Sequence, residues 1–164
     1  MQHHKKQDSR EESITLDTPI GMLVITALDG AICSIGLAKP EETASVERVN
    51  QPLLNQAAME LKEYFEGSRT QFAFPMRAEG TAFQNAVWDA LRKIPSGETI
   101  SYGEIAHAVG NAKASRAVGM ACNRNPIMIA VPCHRVVGAN GSLTGYAYGT
   151  GMKQVLLDLE RANQ

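Results

Sequence analysis

The chain has 164 residues, 44% of them apolar, and a net charge of −1. That is enough apolar material to bury a core in one ordinary domain or in two small ones sharing a boundary. A pI near 6.4 argues against a strongly basic nucleic-acid binder, and no apolar run reaches the length of a membrane span.

The opening MQHHKKQDSREES is polar and is followed by no apolar region, so residues 1–12 are expected to be a disordered, solvated tail and not a secretory leader. Three cysteines (Cys33, Cys122, Cys133) form an odd set with no CxxC, which speaks against a disulfide framework or a cysteine-rich zinc site. A free thiol needs reducing surroundings, so the expected compartment is the cytoplasm. Cys33 and Cys122 read as packing residues.

From Ser13 the pattern is one of strands. ITLDTP, GMLVITAL and AICSIGLA alternate apolar and polar residues, with Thr18-Pro19 and Asp29-Gly30 as turns, which predicts a small antiparallel meander. KPEETASVERVNQP reads as a loop or short helix. Pro52 opens a helix whose apolar face is Leu53, Leu54, Ala57, Ala58, Leu61, Tyr64 and Phe65, with Gly67 placed to end it. TQFAFPM is expected to be a further strand. These first eighty residues show no catalytic constellation and read as scaffold, ending in a linker at 77–80.

After Gly80 the character becomes helical. Thr81 to Gln84 and Ser101 to Glu104 are capping-box patterns, opening QNAVWDALRKI and YGEIAHAV. A turn, GNAK, then leads into ASRAVGMACNRN, giving a short helix, a glycine-containing turn and a second short helix. That second helix is small-sided (Ala114, Ser115, Ala117, Gly119, Ala121), with Arg116 its one long side chain near the start. Such a helix fits a narrow groove or simply packs against its own protein. The final helix, MKQVLLDLERA, presents Val155, Leu156 and Leu159 on one side and carries Glu160.

The chemistry is concentrated at Ile129 to Gly138, IAVPCHRVVG. A β-branched approach reading as buried strand runs into Pro132 and then places thiol, imidazole and guanidinium side by side. Cationic neighbours lower a thiol's pKa and favour the nucleophilic thiolate, whereas a structural thiol stays protonated among apolar groups. Adjacency of Cys133 and His134 leaves both readings open. The charge distribution adds to it. Residues 1–80 hold 8 Lys+Arg against 12 Asp+Glu, and residues 81–164 hold 8 against 5. No carboxylate falls between Glu104 and Asp158, a span that suits an anionic partner or a sparsely charged surface.

TAFQNAVW…IPSGETISYGEIA…ASRAVGMACNRNP…VPCHRVVGANGSLTGYAYGTGMK…LLDLE resembles the O6-alkylguanine-DNA alkyltransferases, the methylated-DNA–protein-cysteine methyltransferases, across the whole second half. The resemblance implies a mixed α/β fold. A ribonuclease-H-like unit would occupy residues 13–80, and a winged helix-turn-helix unit residues 81–164. It implies that Cys133 accepts the alkyl group from O6 of guanine, and by extension O4 of thymine, irreversibly. By the same resemblance His134 takes the thiol proton, Glu160 orients the imidazole, and Asn125 buttresses the turn. Tyr102 would assist the departing guanine and rotate the 3′ phosphate, and Arg116 would fill the gap left by the flipped nucleotide. Asn111, Ala114, Ser115, Ala117 and Gly119 would line the minor-groove contact, which makes recognition nearly independent of sequence. Val131, Pro132, Tyr146, Ala147 and Tyr148 would form the pocket, with Tyr148 narrowing it against large alkyl groups. The implied partner is double-stranded DNA carrying an alkylated guanine. A monomer with no cofactor, no metal and no membrane is expected.

Three other readings separate by experiment. A non-catalytic sensor of alkylated bases would bind without a change in mass. A cysteine hydrolase would turn over a small ester, with His107 the other histidine outside the tail. A helix-turn-helix regulator would bind DNA independently of Cys133.

Overall fold

The computed structural model describes residues 11–39 and 51–164. The expected tail, except for its last two residues, and residues 40–50 of the expected loop or helix lie outside them.

The first half begins with an antiparallel meander of β1 (Glu12–Thr18), β2 (Gly21–Leu28) and β3 (Ala31–Leu37), in the order β1-β2-β3. Asp29 and Gly30, at φ 50° and 79°, form the tight turn their sequence predicts. Alternation on β2 buries Leu23, Ile25 and Ala27 beneath α1 (Pro52–Glu66). That helix starts with proline and ends at Gly67, whose left-handed backbone (φ 85°) closes the last turn.

TQFAFPM does not form the expected strand. Ile32 N donates to Pro75 O at 2.8 Å and Arg77 N to Ile32 O at 2.9 Å, giving a single parallel bridge at Met76. Pro75 has no N–H with which to extend the ladder, and Phe74 turns into the core. A second bridge lies farther along the same edge. Ile35 N donates to Pro126 O at 2.9 Å and Met128 N to Ile35 O at 3.0 Å. Strand β3 therefore holds the segment leading to Cys133.

The second half is helical. α2 (Ala82–Leu91) and α3 (Tyr102–Ala108) each carry a complete capping box, at Thr81/Gln84 and Ser101/Glu104. α4 (Ser115–Asn123) follows α3 through a turn containing Gly110 at φ 84°. α2 is tied to α4 by Trp88 Nε1 donating to Ala121 O at 2.9 Å. Two short parallel strands, β4 (Ile100–Ser101) and β5 (Val136–Val137), bring the start of α3 beside the stretch after Cys133. One continuous core joins Leu23, Ile25, Leu61 and Phe74 to Val87, Ile105, Val118, Ile127 and Leu156.

α5 (Thr150–Ala162) buries a different face from the one its leucines suggest. Lys153, Leu156, Leu157 and Glu160 point inward, and Val155 is half exposed. Their i, i+3, i+4, i+7 spacing is that of a buried stripe, but two members are charged. Among the described residues no helix is long and apolar enough to cross a membrane.

Candidate active site

The approach to Cys133 is a chain of turns and not the expected strand. Ile129 sits at φ 71°, a left-handed conformation that a β-branched residue rarely adopts, with Ala130 N bonded to Met128 O at 2.8 Å. Pro132, at φ −84° and ψ 65°, centres an inverse γ-turn in which Cys133 N reaches Val131 O at 2.9 Å. A single 3-10 turn, Cys133–Arg135, then leads into β5. Asn125 holds these bends together. Its Nδ2 donates to Val131 O at 2.7 Å and to Cys133 Sγ at 3.3 Å, while its Oδ1 accepts Ile127 N at 2.9 Å. Asn125 thus makes a three-point contact across the turn.

Behind the thiol lies a buried charge cluster centred on Glu160. His134 Nε2 is 2.6 Å from Oε2, and Arg135 reaches Oε1 at 2.8 Å through Nε and Oε2 at 3.0 Å through Nη2. Arg135 Nη1 donates to Ile94 O at 2.6 Å. Burial alone would raise Glu160's pKa, but the hydrogen bonds and charges of His134 and Arg135 hold it well below the usual carboxylate range. An ionised carboxylate only accepts, so the Nε2 of a neutral His134 carries the proton and Nδ1 presents a lone pair. Nδ1 is buried and has no hydrogen-bond partner within the protein. Burial pulls the His134 pKa down, against the pull of Glu160 and helped by Arg135 and Lys153, so a neutral ring is favoured.

Burial decides the resting state of the thiol, which the sequence leaves open. Cys133 is 5% exposed, and burial raises its pKa despite the opposing influences of Asn125, Lys153 and its own backbone. At rest it is a thiol. Among the described residues no hydrogen bond joins Sγ directly to His134. Cys122, on α4, is also buried and feels Cys133, with its pKa pushed up to about 12 mainly by burial.

Two residues outside the expected set complete the cluster. Lys153 is fully buried; its Nζ donates to Thr144 O at 3.1 Å and lies 5.7 Å from the centre of the Tyr102 ring. Tyr102 donates to the same carbonyl at 2.8 Å, so the 144–149 loop is pinned from both sides. Tyr64, from α1, donates to Glu160 Oε2 at 2.6 Å across 96 residues of chain. The first half is therefore not scaffold alone. The available signal was a hydroxyl on an otherwise apolar helical face, which needs a buried partner, and a lysine in register with buried leucines.

Among the expected pocket residues, Val131, Pro132 and Tyr146 are buried, and Ala147 and Tyr148 are exposed. The Tyr146 hydroxyl is buried without a hydrogen-bond partner. Tyr148 meets Tyr146 edge-on at 5.7 Å, and its hydroxyl lies over Gly36 of β3, 2.8 Å from where a Cβ would stand. A cavity of about 630 Å³ opens beside Phe72, Arg92, Pro132 and Arg135. Among the described residues no group of His, Cys, Asp and Glu is assembled to hold a metal.

The candidate DNA face is α4 and the turn before it. Arg116, Ala117 and Met120 are exposed, Ala114 and Ser115 are half buried, and Gly119 lies beside the Tyr102 ring. Asn111 is exposed, and its Oδ1 accepts Lys113 N at 3.3 Å, which shapes the turn. His107 is exposed on α3, away from these groups.

Comparison with known proteins matches residues 13–78 to the ribonuclease-like domain of 6-O-methylguanine DNA methyltransferase and residues 82–162 to its DNA binding domain. The chain is 46% identical over 147 residues to a methylated-DNA–protein-cysteine methyltransferase of Methanosarcina acetivorans, covering 88% of this chain and 94% of that one. The constitutive enzyme of that name from Bacillus subtilis is 45% identical over 154 residues, covering 90% and 93%. Among solved structures, Mycobacterium tuberculosis O6-methylguanine methyltransferase aligns with TM-score 0.83 and 40% identity, covering 94% of this chain and 95% of that one. The Mycobacterium tuberculosis OGT solved in complex with DNA aligns at 0.80 with 41% identity, covering 93% of each. With both halves matched in order and relatives above 40% identity over nearly their full length, the chain belongs to the methylated-DNA–protein-cysteine methyltransferase family.

Proposed function

We propose that this protein repairs alkylated DNA by direct reversal, moving the alkyl group from O6 of guanine onto Cys133 once per molecule. The observation that carries the reading is Cys133 at the end of the Asn125-braced turn, next to a histidine whose Nε2 is held by an ionised carboxylate and whose Nδ1 is free to accept a proton.

The proton on Sγ passes to His134 Nδ1, directly or through one water, and the imidazolium is stabilised by Glu160. The thiolate attacks the alkyl carbon as the bond to O6 breaks, forming a thioether and a guanine anion that takes a proton from Tyr102. The Tyr102 hydroxyl is restored through solvent as the His134 imidazolium gives up the proton it took from Sγ. A thioether has no acidic proton and no good leaving group, so the protein is consumed. Since burial keeps Cys133 protonated at rest, the reaction depends on this relay.

A buried thiol cannot reach O6 inside a duplex, so the nucleotide must be flipped out at a cost of about a few kcal/mol. We assign α4 to the minor groove, with Arg116 entering the base stack and Ala114, Ser115, Ala117 and Gly119 allowing close approach; Asn111 would contact the backbone. Val131, Pro132, Tyr146, Ala147 and Tyr148 would enclose the base. The relative solved with DNA supports a DNA partner. In this reading residues 13–80 are the ribonuclease-like unit, residues 81–164 carry DNA binding and chemistry, and one chain acts alone. Three free thiols favour a reducing compartment such as the cytoplasm.

The test is a titration of the protein against duplex carrying O6-methylguanine labelled in the methyl group. One label per protein at saturation, and none with Cys133→Ala, is the expected result. Repeated turnover, or label retained by the Cys133→Ala protein, would contradict it.

A further inference from the structure

Glu160 Oε2 accepts two short hydrogen bonds of equal length. One comes from His134 Nε2 and the other from the Tyr64 hydroxyl, each at 2.6 Å. Tyr64 is 2% exposed, and its ring is fixed against Phe65 and Phe72 at 5.2 and 5.7 Å. Phenylalanine would fill that space as well. The hydroxyl has Glu160 as its partner, so its presence is explained by that carboxylate and not by packing.

We propose that Tyr64 is a positioning residue of the proton relay: by donating to the oxygen that holds His134, it limits how strongly Glu160 stabilises the imidazolium and so sets the pH range in which His134 acts as a base. This rests on the assignment of His134 as the base for Cys133. The groups facing the pair come from every neighbouring element. They are Tyr64 on α1, Arg135 and Cys133 on the turn, Tyr146 on the loop and Lys153 on α5.

Every donor to a carboxylate spreads its charge and weakens its hold on the others. Arg135 and Lys153 further disfavour a charged His134, whereas Tyr64 acts on His134 through Glu160. Burial, and then the charge of Glu160, push the Tyr64 hydroxyl far above its ordinary range, so it remains a donor. Without that donor Glu160 pulls harder, the imidazolium is favoured, and less neutral His134 is present at a given acidic pH.

Two full-length variants test this. Tyr64→Phe removes the donor with the ring unchanged, and fluorotyrosine at position 64 makes the donor stronger. The ring nitrogens of His134 are titrated by NMR between about pH 4 and about pH 8, and single-turnover methyl transfer is measured about one unit below the wild-type midpoint so found and at about pH 8.5. For Tyr64→Phe the His134 midpoint is expected to rise by about half a unit, and the ratio of the acidic to the alkaline rate to fall about threefold. Fluorotyrosine is expected to move both the other way. Unmoved midpoints, shifts of the same sign in both variants, or a rate loss equal at both pH values would overturn the proposal. The NMR titration needs no methyl transfer, so a wild-type protein that leaves Cys133 unmethylated would refute the repair reading separately.

Discussion

Asn125 Nδ2 stands 3.3 Å from Cys133 Sγ while donating to Val131 O at 2.7 Å, so one amide both closes the turn and faces the nucleophile. Its hydrogen bond is also an influence that favours the thiolate against burial. Asn125→Asp keeps the shape but replaces a donor with an anion. Raising the thiol by about one further unit would slow transfer roughly tenfold at fixed pH. Leaving the Val131 carbonyl without its donor should cost about 1–3 kcal/mol in urea unfolding. Unchanged single-turnover kinetics would remove Asn125 from the site.

The Glu160 cluster predicts loss of stability with acid. Glu160 has a depressed folded-state pKa, so its contribution is full above the ordinary carboxylate range and is lost as pH falls through the folded value. His134 is also depressed, by burial, so below about pH 6.5 the unfolded chain binds a proton that the folded one refuses. Both signs agree. Tm should therefore fall from about pH 7 to about pH 5 through His134, and further below about pH 5 as the Glu160 contribution is lost. Glu160→Gln should cost about 3–5 kcal/mol at neutral pH, because it leaves Arg135 buried without its counter-charge.

Lys153 should separate stability from activity. It is buried, and its charge favours the Cys133 thiolate. Lys153→Met fills the same space without a charge, so stability should hold or rise by about 1 kcal/mol. Methyl transfer should slow roughly tenfold, as the thiol is raised and the Thr144 carbonyl loses one of its two donors. Equal rates for the two proteins would show that the charge is incidental.

Tyr148 is expected to set the size of the alkyl group accepted. Its ring stands edge-on to Tyr146 and its hydroxyl rests over Gly36. The wild type should react faster with O6-methylguanine than with O6-benzylguanine, and Tyr148→Gly should narrow the gap about tenfold or more. Gly36→Val, whose Cβ would meet the hydroxyl at 2.8 Å, should act in the same direction by displacing the ring. Equal rates on the two substrates in the wild type would rule out the filter.

Much of this architecture is local and could be read from the sequence. Asp29-Gly30, the Pro52-to-Gly67 helix and both capping boxes are short-range signals, and each element forms where its signal lies. The adjacency of Cys133, His134 and Arg135 marked the candidate site for the same reason. Features that depend on distant partners were not legible. TQFAFPM and the approach to Cys133 have strand composition, yet each makes a single bridge to β3 because proline interrupts the ladder. Val155 lies on the side of α5 that its apolar residues suggest, yet Lys153 and Glu160 share the inward stripe with Leu156 and Leu157. Tyr64 reaches Glu160 only after both halves pack, and no spacing rule connects residues 96 apart. The resting state of the thiol, open on adjacency alone, also depends on tertiary burial. Cationic neighbours are present, but burial outweighs them.

The most direct test is intact mass and peptide mapping after mixing the protein with duplex DNA carrying O6-methylguanine. One added methyl group per chain is expected, located on the peptide containing Cys133, with the DNA restored to guanine and no further reaction. A protein that binds the lesion with no change in mass, or that carries the methyl group on another residue, would contradict it.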